Sequence, residues 1–157
     1  MGSAQQQWRY AMVLGTEEGW QSVLDKYGDN TRYATLARKQ LAEIYLARND
    51  LFRAKDIFDE IIRTGEAQGE PAVVAYGLAG NYVVFTQDGL SDRAKQVLGR
   101  LYPDMDQLAQ YDRKMTRLVA QLALHTNQLE SKQREQEFEA LLESVVGEEP
   151  EEGEPSG

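Results

Sequence analysis

The side chains that most often do chemistry are scarce in this chain: His125 is the single histidine among 157 residues, and there is no cysteine. A zinc site needs three or four nitrogen, sulfur or carboxylate ligands, and a nucleophilic triad needs a histidine beside an activated hydroxyl or thiol. His125 supplies one such group and also fits a simpler duty, a favourable charge near the end of a helical stretch. The turn Gly15-Thr16-Glu17-Glu18-Gly19 lacks the lysine and the glycine spacing of a phosphate loop. The 26 acids make close pairs inevitable, yet none stands in a setting that would raise one carboxyl and keep its neighbour ionised. The expectation is therefore no catalytic, no cofactor-binding and no metal-ligating residue, and a protein that is not an enzyme.

Charge narrows the partners further. A formal net charge of −9 disfavours nucleic acid, whose non-specific affinity comes from Lys and Arg neutralising phosphates. Five acids, Glu148, Glu149, Glu151, Glu152 and Glu154, crowd the C-terminal end with no base among them, and without them the remainder carries about −4. No apolar run approaches the ~20 residues that span a bilayer, so direct membrane insertion is not expected. Residues 1–3 read as a cloning remnant, without the basic and apolar stretches of a signal peptide, and Gln6 fails the myristoylation pattern. Cysteine-free composition suits any compartment, and localisation is left unknown.

What positions such a chain is helix. The prolines at 71, 103, 150 and 155 divide the sequence instead of interrupting its periodic stretches. The spacing predicts helices over 4–14, 17–27, 31–48, 51–64, 71–87, 91–102, 104–126 and 129–146, with Ser91 and Asp104 as N-caps. The β-prone run Tyr82-Val83-Val84-Phe85 continues the spacing of Val74, Leu78 and Tyr82 and reads as buried helix, a strand being the alternative. From 147 to 157 the Glu/Pro/Gly/Ser composition predicts a disordered acidic tail, because it offers no apolar surface to offset ordering.

Two pairs of segments echo each other. Leu41-Ala42-Glu43-Ile44-Tyr45 returns as Leu78-Ala79-Gly80-Asn81-Tyr82, and Arg53-Ala54-Lys55-Asp56-Ile57-Phe58 returns as Arg93-Ala94-Lys95-Gln96-Val97-Leu98. The first shift is 37 residues and the second 40, which a three-residue insertion near 83–89, one extra helical turn or a longer loop, would reconcile. This pattern resembles the tetratricopeptide repeat, a helix–turn–helix unit of ~34 residues. Leu41, Ala42, Tyr45, Ala54 and Phe58 stand at the family's leucine, small, tyrosine, alanine and phenylalanine positions, while Arg38, Ile61 and Glu66 depart from its pattern. A degenerate match lies upstream at Trp20, Val23 and Leu24, followed by the turn Tyr27-Gly28-Asp29-Asn30. The resemblance implies an all-α fold: a short right-handed stack of helical hairpins over 4–126, with the helix after Pro103 as its cap. A plain helical bundle is the alternative.

The resemblance also implies function, since the first helix of each such unit lines a concave groove that receives a peptide or helix. By it, the groove-facing residues are Lys39, Glu43 and Leu46, and at the shifted positions Tyr76, Gly80 and Val83. Tyr76 could equally be a packing residue, and Lys39 and Glu43 a solvated helix-surface pair. The layout is similar to bacterial envelope modules that stand behind an N-terminal membrane anchor, which implies a soluble fragment of such a protein. The 127–146 segment carries a separate stripe, Phe138, Leu141, Leu142, Val145 and Val146, which either folds back on the body or docks in trans. The reading is thus an adaptor or scaffold for a protein or peptide partner, with a self-assembling homo-oligomer joined through the stripe as the alternative.

Overall fold

The computed structural model describes residues 15–28 and 31–147, with side chains through 145. The expected helix at 4–14, the acidic residues 148–157 and the side chain of Val146 lie outside the described residues. Those described are all-α. The order is α1 (Glu17–Tyr27), α2 (Thr31–Ala47), α3 (Leu51–Gln68), α4 (Pro71–Gln87), α5 (Ser91–Leu101), a 3-10 turn (Tyr102–Asp104), α6 (Met105–Tyr111), α7 (Arg113–His125) and α8 (Lys132–Gly147). Consecutive helices pack on one another, α5 and α6 by way of the 3-10 turn between them, and α4 also meets α6 and α7. No described helix is long and apolar enough to cross a membrane.

Local chemistry explains most of the boundaries. Thr16 caps α1 by accepting from the Gly19 amide at 3.1 Å, and Asp50 caps α3 by accepting from Arg53. Pro71 opens α4 at a position where its missing N–H is not needed. Two expected caps differ. Ser91 is already inside α5, whose cap position is Leu90, and Asp104 stands at the cap of α6 without a side-chain bond.

The helix ends repeat with unusual regularity. Asn49, Gly69 and Gly89 take left-handed backbone at φ 58°, 65° and 75°, twenty positions apart, and Asn127 does so again at 54°. Each closes its helix with the same two bonds, from its own amide to the carbonyl three residues back and from the next amide to the carbonyl five back, as in Asp50 to Tyr45 and Leu90 to Phe85. Helix–turn pairs therefore recur every 40 residues: α2 and α4 start at 31 and 71, and α3 and α5 at 51 and 91. The 37-residue echo is thus a similarity of side chains displaced by about one helical turn against a backbone repeat of 40, and no extra loop lies at 83–89.

Three helices differ from expectation, α8 by starting at Lys132 and not at 129. Instead of ending at 64, α3 runs to Gln68, because Gly65 is buried within it and the left-handed stop falls at Gly69. The single expected helix over 104–126 is two, divided at Asp112, whose extended backbone (φ −151°, ψ 98°) restarts the helix while its carboxylate caps Met115 at 2.9 Å.

The core runs along α4. Its seventeen residues contain no charge, and Val73 and residues 75–84 are all buried, so it is enclosed on every side. Ala54 and Ala94, one on each helix flanking α4, are fully buried at close helix crossings. Ala54→Leu and Ala94→Leu should each cost about 1–3 kcal/mol by overpacking. Urea unfolding checks this, and unchanged midpoints would place both positions on the surface. At the N-terminal end, the Glu17 carboxylate takes a 2.7 Å hydrogen bond from the Tyr45 hydroxyl and a 2.6 Å bond from Arg48, tying α1 to α2. Those two donors, Tyr45 first, hold its carboxyl below the ordinary value.

Candidate functional site

The groove that the helices enclose is built from three of them. Glu43 and Leu46 come from α2, Tyr76 from α4, Asp112 from the cap of α7, and Lys114, Met115, Arg117, Leu118 and Gln121 from α7 itself. Its volume is about 320 Å³ and its walls are mainly apolar. Leu46, Tyr76, Met115 and Leu118 form the apolar part, and charged side chains stand along the rim.

One end of the groove is fixed by a lysine. Lys39 Nζ lies 3.1 Å from Asp112 Oδ2, with only 14% and 17% of the two side chains exposed. The same ammonium sits 4.7 Å from the ring centre of Tyr76 and 4.3 Å from that of Tyr111. Tyr76 and Tyr111 meet edge to face at 6.2 Å, which lets the negative faces of both rings reach the cation. Asp112 thus serves two elements at once, one oxygen capping α7 and the other neutralising a lysine on α2. Burial first, then the nearby Glu43 and Asp112 carboxylates, pushes the Tyr76 phenol well above its ordinary range, so this ring stays neutral. A second bridge, Lys114 Nζ to Glu43 Oε1 at 2.8 Å, crosses the open rim from α7 to α2 and is largely solvent-exposed.

The residues singled out from sequence separate accordingly. Glu43, Leu46 and Tyr76 line the groove, and Lys39 holds its end through Asp112 and the two rings. Gly80 and Val83 do not line it; both are buried on α4. A Cβ on Gly80 would run into the Phe58 ring, so this glycine exists for the close approach of α3 to α4. The α7 wall is not among the groove residues expected from the sequence, because the helix after Pro103 reads there only as a cap. The signal for it was Asp112, an aspartate three residues before Met115 in otherwise helical spacing.

The C-terminal stripe lies against its own chain. Phe138 is 2% exposed, Val145 3%, and Leu141 and Leu142 are half-buried. Phe138 stacks on Tyr102 at 6.2 Å and 6°, Arg134 covers Tyr102 at 3.9 Å, and the Tyr102 hydroxyl donates to the Glu137 carboxylate. The Tyr82 hydroxyl donates to the buried Gln128 side chain, fixing the link between α7 and α8 to α4. Among the described residues, no group of three or more His, Cys, Asp or Glu is arranged to hold a metal ion.

No family model, curated protein or solved structure matches this chain.

Proposed function

We propose that this chain is a protein-binding module of tetratricopeptide-like architecture, an adaptor and not an enzyme, whose partner peptide or helix lies in the groove between α2, α4 and α7. The observation that carries this reading is the groove itself: an apolar trough with charged rims, walled by three helices. The repeated helix–turn pairs support the architecture, since helices stacked at a fixed period bring alternate helices to one surface. The 40-residue period departs from the family's ~34, so the likeness is one of arrangement. Apolar floor and polar rim are also what a helix-in-groove partner needs, with burial giving affinity and the rim giving register.

The test is a selection of peptides from a random library on the intact chain, counter-screened on Lys114→Glu/Gln121→Arg. Both side chains are exposed, so the double variant should keep its melting temperature. Peptides that use the groove should bind it at least about tenfold more weakly, a loss of about 1.4 kcal/mol. Equal binding to the wild type and the variant would place the partner surface elsewhere.

A further inference from the structure

We propose that the Tyr76 hydroxyl is the specificity point of the groove and that it takes a primary amide on a short aliphatic stem, as a glutamine of the partner peptide presents. The inference rests on the reading of the groove as a docking site and adds the chemistry of the side chain that enters it.

The place of the hydroxyl comes first. Tyr76 is only 1% exposed and yet lines the groove. Its ring is held by the Lys39 ammonium at 4.7 Å, by Phe58 at 6.0 Å and by the edge contact with Tyr111. Buried tyrosine hydroxyls usually find a partner, and those of Tyr45 and Tyr82 do so here, in Glu17 and Gln128. None of the described residues hydrogen-bonds the hydroxyl of Tyr76. Nor is it one of the described polar atoms that are both sealed from solvent and without a partner, so the small open part of Tyr76 includes its oxygen. A rigidly held ring thus offers the groove an uncommitted hydroxyl.

The other polar groups select what meets it. The carboxylates of Glu43 and Asp112 line the same groove. Burial first, then these two carboxylates, keeps the phenol protonated, so the hydroxyl has a proton to donate and acceptors around it. The charges are already matched: Asp112 pairs with Lys39 and Glu43 with Lys114, and neither Lys114 nor Arg117 is a free cation. An entering carboxylate would therefore meet two carboxylates and no uncommitted counter-charge. An ammonium or guanidinium would offer the hydroxyl proton no acceptor. A primary amide does both jobs, its carbonyl accepting from Tyr76 and its N–H groups donating towards the carboxylates, and no charge has to lose its water. The two methylenes of glutamine suit the apolar walls made by Leu46, Met115 and Leu118.

Three small probes share a stem and differ in the head: butanamide, which is the glutamine side chain with its Cα as a methyl, butanoate and butylammonium. Methyl signals of Leu46, Met115 and Leu118 in the intact chain report their binding. Butanamide should bind at least about fivefold more tightly than either charged probe, because a covered charge without a partner is costly. Tyr76→Phe should keep its melting temperature, since the hydroxyl it loses bonds to no described residue. It should nevertheless bind butanamide about fivefold more weakly, equivalent to about 1 kcal/mol, the net worth of one neutral hydrogen bond. Equal binding of butanamide to the wild type and Tyr76→Phe would overturn the proposal. So would charged probes that bind as tightly as the amide, the absence of shifts with all three, or a lowered melting temperature, which would show the hydroxyl committed within the chain. Peptides that discriminate against Lys114→Glu/Gln121→Arg but bind Tyr76→Phe as tightly as the wild type would overturn the amide and leave the groove reading standing. Failure of that counter-screen is what would sink the groove itself.

Discussion

Replacing Gly80 by alanine should destabilise the chain by about 3 kcal/mol, at the upper end of what overpacking a core costs. The sign is the informative part, because Gly to Ala inside a helix ordinarily gains about 1 kcal/mol. Here the new methyl would occupy space that the Phe58 ring already fills, and Phe58 is itself fully buried. Gly77, one turn earlier, is nearly as tight: a Cβ there would stand 2.5 Å from Ile62 Cγ1 and 3.0 Å from the Phe58 carbonyl oxygen. These two glycines set how closely α3 lies on α4. Phe58→Leu should relieve part of the Gly80→Ala loss, so that the double variant is more stable than the sum of the single losses implies. Urea unfolding of the four proteins measures this coupling. A neutral or stabilising Gly80→Ala would mean that α3 and α4 are further apart than described.

Asp112→Ala should cost about 3 kcal/mol for a different reason. It removes the cap of α7, worth about 1 kcal/mol, and leaves the covered Lys39 ammonium without its counter-charge. The two tyrosine rings offset part of that second loss, since they still offer the cation their negative faces. Asp112→Asn keeps an acceptor for the Met115 amide and loses only the charge, so it should cost less than Asp112→Ala. Adding Lys39→Met to Asp112→Asn should then recover stability, because a methionine suits the space between the rings and needs no counter-ion. Thermal melts of these variants separate cap from charge. Equal losses for Asp112→Ala and Asp112→Asn, with no recovery by Lys39→Met, would show that the Lys39–Asp112 pair contributes nothing.

Helix positions were legible in the sequence because Gly, Pro and Asn punctuate it at the places where the backbone turns. Asn49, Gly89 and Asn127 are visible stops, and the charge-free stretch 71–87 reads as a helix buried all round. The end of α3 at Gln68 was not legible for a physical reason: a glycine can end a helix or let a neighbour approach it, and sequence does not distinguish Gly65 from Gly69 until the latter is seen to carry the left-handed backbone. Gly80 and Val83 were misassigned by the same ambiguity in a different form. The 37-residue echo aligned them with Glu43 and Leu46, but two flanking helices together with α6 and α7 enclose α4, and only Tyr76 of the three α4 candidates reaches the groove.

The groove itself was half legible. Its α2 and α4 members followed from the repeat, while its α7 wall depends on Asp112 breaking one long apolar stripe into two helices. Periodicity conceals such a break, because Leu108, Tyr111 and Met115 keep helical spacing straight through it. The fold-back of α8 could not be read from its stripe alone either. The stacking of Phe138 on Tyr102 depends on where α5 ends, which is a long-range fact.

The most direct test of the groove as a partner site is a methyl chemical-shift map of the full chain titrated with a peptide that survives the Lys114→Glu/Gln121→Arg counter-screen. The expected result is a set of shifts centred on Leu46, Met115 and Leu118, saturating with the peptide, while Met105 and Val145 stay in place. Saturating shifts centred on Met105, Leu141 or Val145, with Leu46 and Met115 unmoved, would contradict it and move the binding surface to the α8 side of the molecule.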